Sequence, residues 1–261
     1  MTLEKTDKIS AGSFDLNKWL YGGYEVGVIT MIAGPPASGK TNFVMLAACS
    51  QAKKGKKVIF IDTEGGFSSE RVGQIVGSTE DSKNENYDKI LDNLLILNPT
   101  NFDEQRKIFD TLLETVKKEH VSLIVVDGMA MLYRLELGAA RGDAEDDVDK
   151  IKVENKVQNV NSEVARQMRV LAEITRKQGI PILITNQVYN EFLSEEDWKR
   201  GVKPEANIVG GDLFKYWSKT IIELKNDRGR RKAILLKHRS IPLKEMNFDI
   251  RNEGVFRKGW I

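Results

Sequence analysis

Cysteine is nearly absent from this chain: Cys49 stands alone in 261 residues. No internal disulfide or cysteine-rich metal site can form, which fits a reducing cytosol. Long apolar runs are missing as well. Nothing approaches the roughly 20 residues of a membrane span, and Met1–Lys8 lacks the apolar stretch of a secretory signal. A cytoplasmic protein without a membrane partner is therefore expected. There is no internal repeat, proline-rich linker or compositional break. Only residues 1–10 read as a tail ahead of a single domain over 11–261. Charge of one sign is lacking too, since a formal net charge of +2 is too small to imply nucleic acid by itself. Its distribution says more: residues 143–149 are acidic, whereas 225–239 are strongly basic.

What is present is an alternation. Apolar, β-branched runs at Val28–Ala33, Lys57–Asp62, Leu94–Leu97, Val121–Asp127 and Ile180–Thr185 read as strands. Helical patterns lie between several of them, at Asn42–Lys54, Phe102–Lys118 and Ser162–Lys177. That order predicts an α/β fold with a mostly parallel sheet and helices on both faces. After residue 210 the spacing tightens to Thr220–Lys225, Lys232–His238 and Met246–Ile250, with a turn at Asp227-Arg-Gly-Arg230. These strands predict an antiparallel C-terminal extension at one sheet edge.

Chemistry concentrates where the first strand ends. Gly34-Pro35-Pro36-Ala37-Ser38-Gly39-Lys40-Thr41 is a P-loop with a strand before it and a helix after it. Its N–H groups and the following helix N-terminus favour phosphate. Lys40 would reach the β- and γ-phosphates, and the Thr41 hydroxyl would hold Mg2+. Val121–Asp127 is a buried strand ending in a carboxylate, the second part of such a site, so Asp127 is a candidate for the Mg2+ shell. Hydrolysis also needs a group that orients or deprotonates water. Glu64 follows the Lys57–Asp62 strand at the sheet edge where ligands bind, although a solvated loop glutamate would look the same. Gln187, ending Ile182-Leu-Ile-Thr-Asn-Gln, could sense the γ-phosphate or be an ordinary turn amide.

Three segments together resemble the RecA/RadA recombinase family: Asp62-Thr-Glu-Gly-Gly-Phe with Glu70-Arg71, Leu123-Ile-Val-Val-Asp127 with Tyr133-Arg134, and Ile184-Thr-Asn-Gln187-Val. The similarity runs from about Gly12 to the end. It extends to Asn42 after the P-loop, to Val209-Gly-Gly-Asp with Tyr216-Trp-Ser-Lys219, and to Lys237-His-Arg-Ser240, features of the short archaeal paralogues of RadA.

The resemblance implies a RecA-like P-loop ATPase core with ATP and Mg2+ as cofactors. Glu64, Lys40 and Gln187 become the catalytic set, with Gln187 coupling the γ-phosphate to a DNA-binding loop. Asn42 joins the nucleotide-binding residues, and Arg71 falls where a guanidinium stacks on adenine. Lys237 and Arg239, alternating to one face of a strand, could touch the ATP of a neighbouring subunit; a solvated basic edge strand is the other reading. A first DNA loop would start near Tyr133-Arg134 and include Arg141, ahead of the acidic run 143–149. A second, from about Tyr189 to Val209, carries Trp198, Lys199, Arg200 and Lys203. Interleaved aromatic and basic residues fit stacking on bases with phosphate contacts, and a local cluster around Trp198 competes with that reading.

The expected partners are DNA (single-stranded, with double-stranded open), a RadA recombinase and a junction resolvase, in the cytoplasm near the nucleoid. Gly12–Gly23 already resembles the opening of the ATPase core, leaving no room for RadA's preceding helical DNA-binding domain. No clear Phe-x-x-Ala tether is present, and Phe14-Asp-Leu-Asn reads as core packing. The expectation is thus an accessory protein of recombination and repair with slow ATP hydrolysis and no strand exchange of its own. Its rivals are an active strand-exchange recombinase and a KaiC-like signalling ATPase without nucleic acid.

Overall fold

The computed structural model describes residues 7–78, 86–141, 147–190, 200 and 206–259. The alternation read from the sequence becomes β3 (Ile29–Gly34), α2 (Lys40–Ala52), β4 (Val58–Asp62), β5 (Leu94–Leu97), α5 (Phe102–Glu119), β6 (Leu123–Asp127), α7 (Asp147–Gln178) and β7 (Ile182–Asn190). Short elements fill the gaps: β1 (Lys8–Ile9), α1 (Phe14–Trp19), β2 (Tyr24–Glu25), α3 (Ser69–Val76), α4 (Asn86–Asp92) and α6 (Met131–Arg141). The C-terminal part adds β8 (Ala206–Ile208), α8 (Asp212–Trp217), β9 (Thr220–Asp227), β10 (Arg230–Lys237), β11 (Lys244–Arg251) and β12 (Gly254–Arg257).

The main sheet runs β12-β11-β10-β9-β3-β7-β6-β4-β5, with β8 paired to β7. From β9 across to β5 the neighbours are parallel, and from β9 out to β12 they are antiparallel. Alternate side chains of the central strands enter two cores. Ile32, Phe60 and Val125 pack under α2, whereas Met31, Ile59 and Ile124 pack under α5 and α7. Burial on both faces is why these strands are almost wholly apolar. Local signals agree with the elements. Asn101 caps α5 by accepting from the Glu104 N–H, with Asp103 and Glu104 in its first turn and Lys117 and Lys118 in its last.

Several boundaries differ from the sequence reading. Helix α7 is 32 residues long, and its first turn contains Asp147 and Asp149 of the acidic run expected ahead of the helix. Its early half is mostly charged and polar, with Ile151 exposed and Val153 and Val157 only partly buried, so the apolar stripe that continues into Val160 and Val164 starts thin. Acids at a helix N-terminus are also favourable to the macrodipole. Lys8 and Ile9, expected in the tail, pair with Glu25 and Tyr24, and the Lys8 ammonium donates to the Leu20 and Tyr21 carbonyls. A two-residue strand leaves no periodicity to read. Phe14 is 79% exposed, so it does not pack in the core; Leu16 of the same helix does.

Candidate nucleotide site

The P-loop joins β3 to α2 at the C-terminal edge of the parallel strands. Ala37 and Gly39 both take left-handed backbone, with φ of 57° and 105°, and Gly39 caps α2 without a side chain. Lys40 is 6% exposed. Its Nζ donates to the Gly34 and Pro35 carbonyls, each at 3.1 Å, so the cation is folded back under its own loop. Burial pulls the Lys40 ammonium below the ordinary lysine range, while Glu64 and Asp127 pull it back up. A buried lysine at the start of α2, with two carboxylates near enough to raise its pKa, can take a phosphate chain.

Asp62 and Asp127 sit side by side at the ends of β4 and β6, yet they do different work. Asp62 Oδ1 accepts from the Glu64 and Gly66 N–H groups and its Oδ2 from Phe67 N–H. That carboxylate is used up in shaping the loop. Asp127 Oδ1 accepts from the Thr185 hydroxyl, whereas Asp127 Oδ2 is buried without a partner. Burial pushes the Asp127 carboxyl up to about 6, with Asp62 and Glu64 adding to the rise and the nearby Thr185 and Thr41 hydroxyls opposing it.

An orphaned carboxylate oxygen beside a helix-N-terminal hydroxyl is a hard-cation arrangement, and the residues fit Mg2+. A Cβ on Gly66 would stand 3.3 Å from Thr41 Oγ1 and 3.5 Å from Asp127 Oδ2, so glycine keeps that space open. Among the described residues no group of three or more His, Cys, Asp or Glu could hold a metal. The ion would therefore draw its remaining ligands from water and nucleotide oxygens.

Glu64 reaches across the sheet edge to Gln187, whose Nε2 donates to Glu64 Oε1 at 3.1 Å. Behind Glu64, the Thr63 hydroxyl donates to the Asp127 and Gly128 carbonyls at 3.0 and 2.8 Å. Gly128 has φ 90°, and a Cβ there would collide with Thr63 Oγ1 and stand 2.6 Å from Glu64 Cγ. The sequence reading missed Thr63, Thr185 and Gly128, all of which adjoin the motifs. For Thr63 and Gly128 the signal was their place directly after the aspartates that end β4 and β6. The Gln187 carbonyl in turn accepts Val209 N–H at 3.0 Å, and Asn186 Nδ2 donates to the Val209 carbonyl.

Arg71 is held by four bonds. Its Nε donates to Asn42 Oδ1, Nη1 to Gln74 Oε1 and the Asn252 carbonyl, and Nη2 to the Arg251 carbonyl. The guanidinium plane is thereby fixed between α2 and the β11–β12 turn.

Lys237 and Arg239 do not share a strand face. The register shifts between Leu235 and Lys237, and β10 ends at Lys237. Lys237 donates to the Lys215 carbonyl, whereas Arg239 bonds the buried Glu25 at 3.1 and 3.2 Å. Because β10 runs antiparallel to β9, both lie at the sheet edge opposite this chain's P-loop. The basic run is also less free than its composition suggests: Lys225 pairs with Glu223 at 3.4 Å and Lys232 with Glu245 at 3.1 Å.

The expected DNA loops are partly regular structure. Tyr133 and Arg134 lie in α6, where Tyr133 is buried and its hydroxyl donates to Asn161 Oδ1. The aromatic belongs to the core between α6 and α7. Arg134 is exposed, and Arg141 ends the helix with its side chain outside the described residues. The stem of the second loop is a ribbon, with Val188, Tyr189 and Asn190 paired to Ile208, Asn207 and Ala206. Arg200 is exposed; Trp198, Lys199 and Lys203 lie outside the described residues. A cleft of about 330 Å³ between α5, α6 and α7, lined by Phe102, Arg106 and Lys156 among others, holds none of the phosphate-loop residues.

Strand order and the placement of P-loop, Asp127, Glu64 and Gln187 at one sheet edge define a RecA-like recombinase core. The chain belongs to the Rad51 family, whose profile matches residues 4–258. It is 38% identical over 257 residues, 97% of each chain, to the "DNA repair and recombination protein RadB" of Methanobrevibacter smithii. It is 34% identical over 244 residues, 92% of each chain, to the protein of that name from Methanosphaera stadtmanae. A solved structure described as "Crystal structure of the RadB recombinase" is 31% identical, with a TM-score of 0.66 over 95% of this chain and 98% of the other.

Proposed function

We propose that this chain, of archaeal origin, is an ATP–Mg2+- and DNA-binding accessory protein of homologous recombination and repair. Its hydrolysis is slow, and it does not exchange strands alone. The names of its relatives support the process, and the geometry supports the coupling. One observation carries the reading: Gln187 holds Glu64 with its side chain and the β7–β8 ribbon with its main chain. A γ-phosphate that draws Gln187 away from Glu64 would shift the ribbon that leads into residues 191–205.

In this reading Thr41 and Asp127 hold Mg2+, which supplies charge neutralisation to the phosphates. Residues 34–42 cradle the phosphate chain, Arg71 lies beside the base, and Glu64 orients water. Arg134, Arg141, Trp198, Lys199, Arg200 and Lys203 are the DNA contacts in this reading. Lys237 and Arg239 serve a neighbouring copy, and a RadA recombinase and a junction resolvase are the protein partners, in a cytoplasm without membrane contact. Slow turnover follows if charge supplied in trans by an ordered filament is missing.

The test is DNA binding with and without ATP across a salt series, with particle size measured in parallel. Affinity that falls steeply with salt, through counterion release, on a monomer or small oligomer supports the reading. Absence of salt-dependent DNA binding would favour a signalling ATPase.

A further inference from the structure

Arg231 is a cation that neither the phosphate loop nor the expected DNA loops account for. It faces Asn226 across the β9–β10 pair and Phe248 across the β10–β11 pair, and opposed residues of antiparallel strands point to one face. That face is the one under α2: Ala233 and Leu235, two and four residues on, are fully buried there with Phe248. Both neighbours of Arg231 touch the nucleotide end of the fold. Asn226 Nδ2 donates to the Ala37 carbonyl at the crown of the P-loop, and the Phe248 ring packs edge-on against Phe43 of α2 at 5.2 Å.

Arg231 Nε is buried without a hydrogen-bond partner. Among the described residues no ion pair or hydrogen bond involves its guanidinium. The other cations of this hairpin differ. Lys225 and Lys232 are paired with glutamates, and Arg228 and Arg230 are exposed. A guanidinium stays protonated, so an unbonded, half-buried one costs free energy until an anion meets it.

We propose that Arg231 is a phosphate contact of the same nucleotide site, supplied within the chain from β10. This rests on the nucleotide reading given above. It adds a charge that does not depend on a neighbouring copy, and it accounts for an otherwise unfavourable arginine beside the loop crown. The partner it requires is the anionic phosphate chain common to ATP and ADP.

The experiment compares wild type with Arg231→Met, Arg231→Lys, Arg230→Gln and Lys40→Ala. Fluorescent ATP and ADP are titrated with Mg2+, and thermal unfolding is followed with and without nucleotide. Methionine keeps the aliphatic stem and removes the charge. Loss of one charge-assisted bond predicts about 10- to 100-fold weaker ATP and ADP for Arg231→Met, an intermediate loss for Arg231→Lys and no change for Arg230→Gln. The nucleotide-free Tm of Arg231→Met should be unchanged or higher, while the rise in Tm on adding nucleotide should shrink.

Unchanged affinity in Arg231→Met, with affinity lost in Lys40→Ala, overturns the proposal and leaves the site reading standing. A lowered nucleotide-free Tm with an undiminished nucleotide increment, in either Arg231 variant, assigns a structural role and overturns it as well. Wild type that binds no nucleotide overturns the site reading and this proposal together.

Discussion

Gln187 Nε2 donates to Glu64 Oε1 at 3.1 Å, joining the loop after β4 to β7. The bond joins a loop carboxylate to an amide on the strand next to the P-loop, where Gln187 is in register with Gly34. It makes the two residues one unit, whose separate removals should not add.

Glu64→Gln should keep ATP–Mg2+ bound and abolish hydrolysis, because the carboxamide keeps the shape and loses the base. Gln187→Ala should also bind nucleotide but turn over more slowly, and the double variant should be no worse than Glu64→Gln. Phosphate release measured beside nucleotide titration checks this. Normal turnover in Glu64→Gln would remove the assigned role.

Gly128→Ala should disable the same unit without touching it chemically. Its φ of 90° disfavours a side chain, and the new methyl would run into Thr63 and Glu64. Strain of this kind costs about 1–3 kcal/mol, so denaturant midpoint and turnover should both fall. Unchanged values for both would contradict the packing described.

Asp127 predicts a sign that sets it apart from surface acids. Its folded pKa of about 6 lies above the ordinary 3.8. The native state therefore holds the proton more tightly, and this contribution to stability is full below pH 3.8 and lost as pH rises through 6. At neutral pH without Mg2+, Asp127→Asn should stabilise the chain by about 1–3 kcal/mol, since each tenfold gain in proton affinity on folding is worth about 1.4 kcal/mol. The same change should weaken ATP–Mg2+ binding. Denaturation curves at pH 4 and 7 measure the first effect. A variant less stable than wild type at pH 7 would show that the lone carboxylate oxygen is not a cost.

Arg71→Ala removes the three bonds that tie α3 to Asn42 and to the Arg251–Asn252 turn, and a fourth to Gln74 within α3. About 1–3 kcal/mol should be lost. Faster amide exchange at Arg251–Gly254 should accompany it, together with weaker binding of the adenine nucleotide. Unaltered exchange in that turn would show that Arg71 does not hold it.

Much of this was legible in the sequence, for a physical reason. Strands buried on both faces, such as Val58–Asp62 and Leu123–Asp127, are unbroken apolar runs ending in the polar residue that the site needs. Glycine spacing and a terminal Asp are local, so the P-loop and the β6 carboxylate could be read directly. What could not be read depends on long-range register. The pairing of Arg239 with Glu25 spans 214 residues, and the shift between Leu235 and Lys237 breaks an alternation that the strand pattern predicts. Likewise the start of α7 carries only a thin apolar stripe of Val153 and Val157, and the partner of the buried Tyr133 hydroxyl, Asn161, lies on another helix 28 residues away.

The proposed role of this RecA-like core is to assist recombination rather than to exchange strands by itself. Purified protein, ATP–Mg2+ and homologous DNAs should be incubated together, and joint molecules scored beside electron micrographs of the same mixture. The account predicts bound DNA, small particles and no joint molecules until a RadA recombinase is added. Robust joint-molecule formation by this chain alone, on long regular filaments, would contradict it.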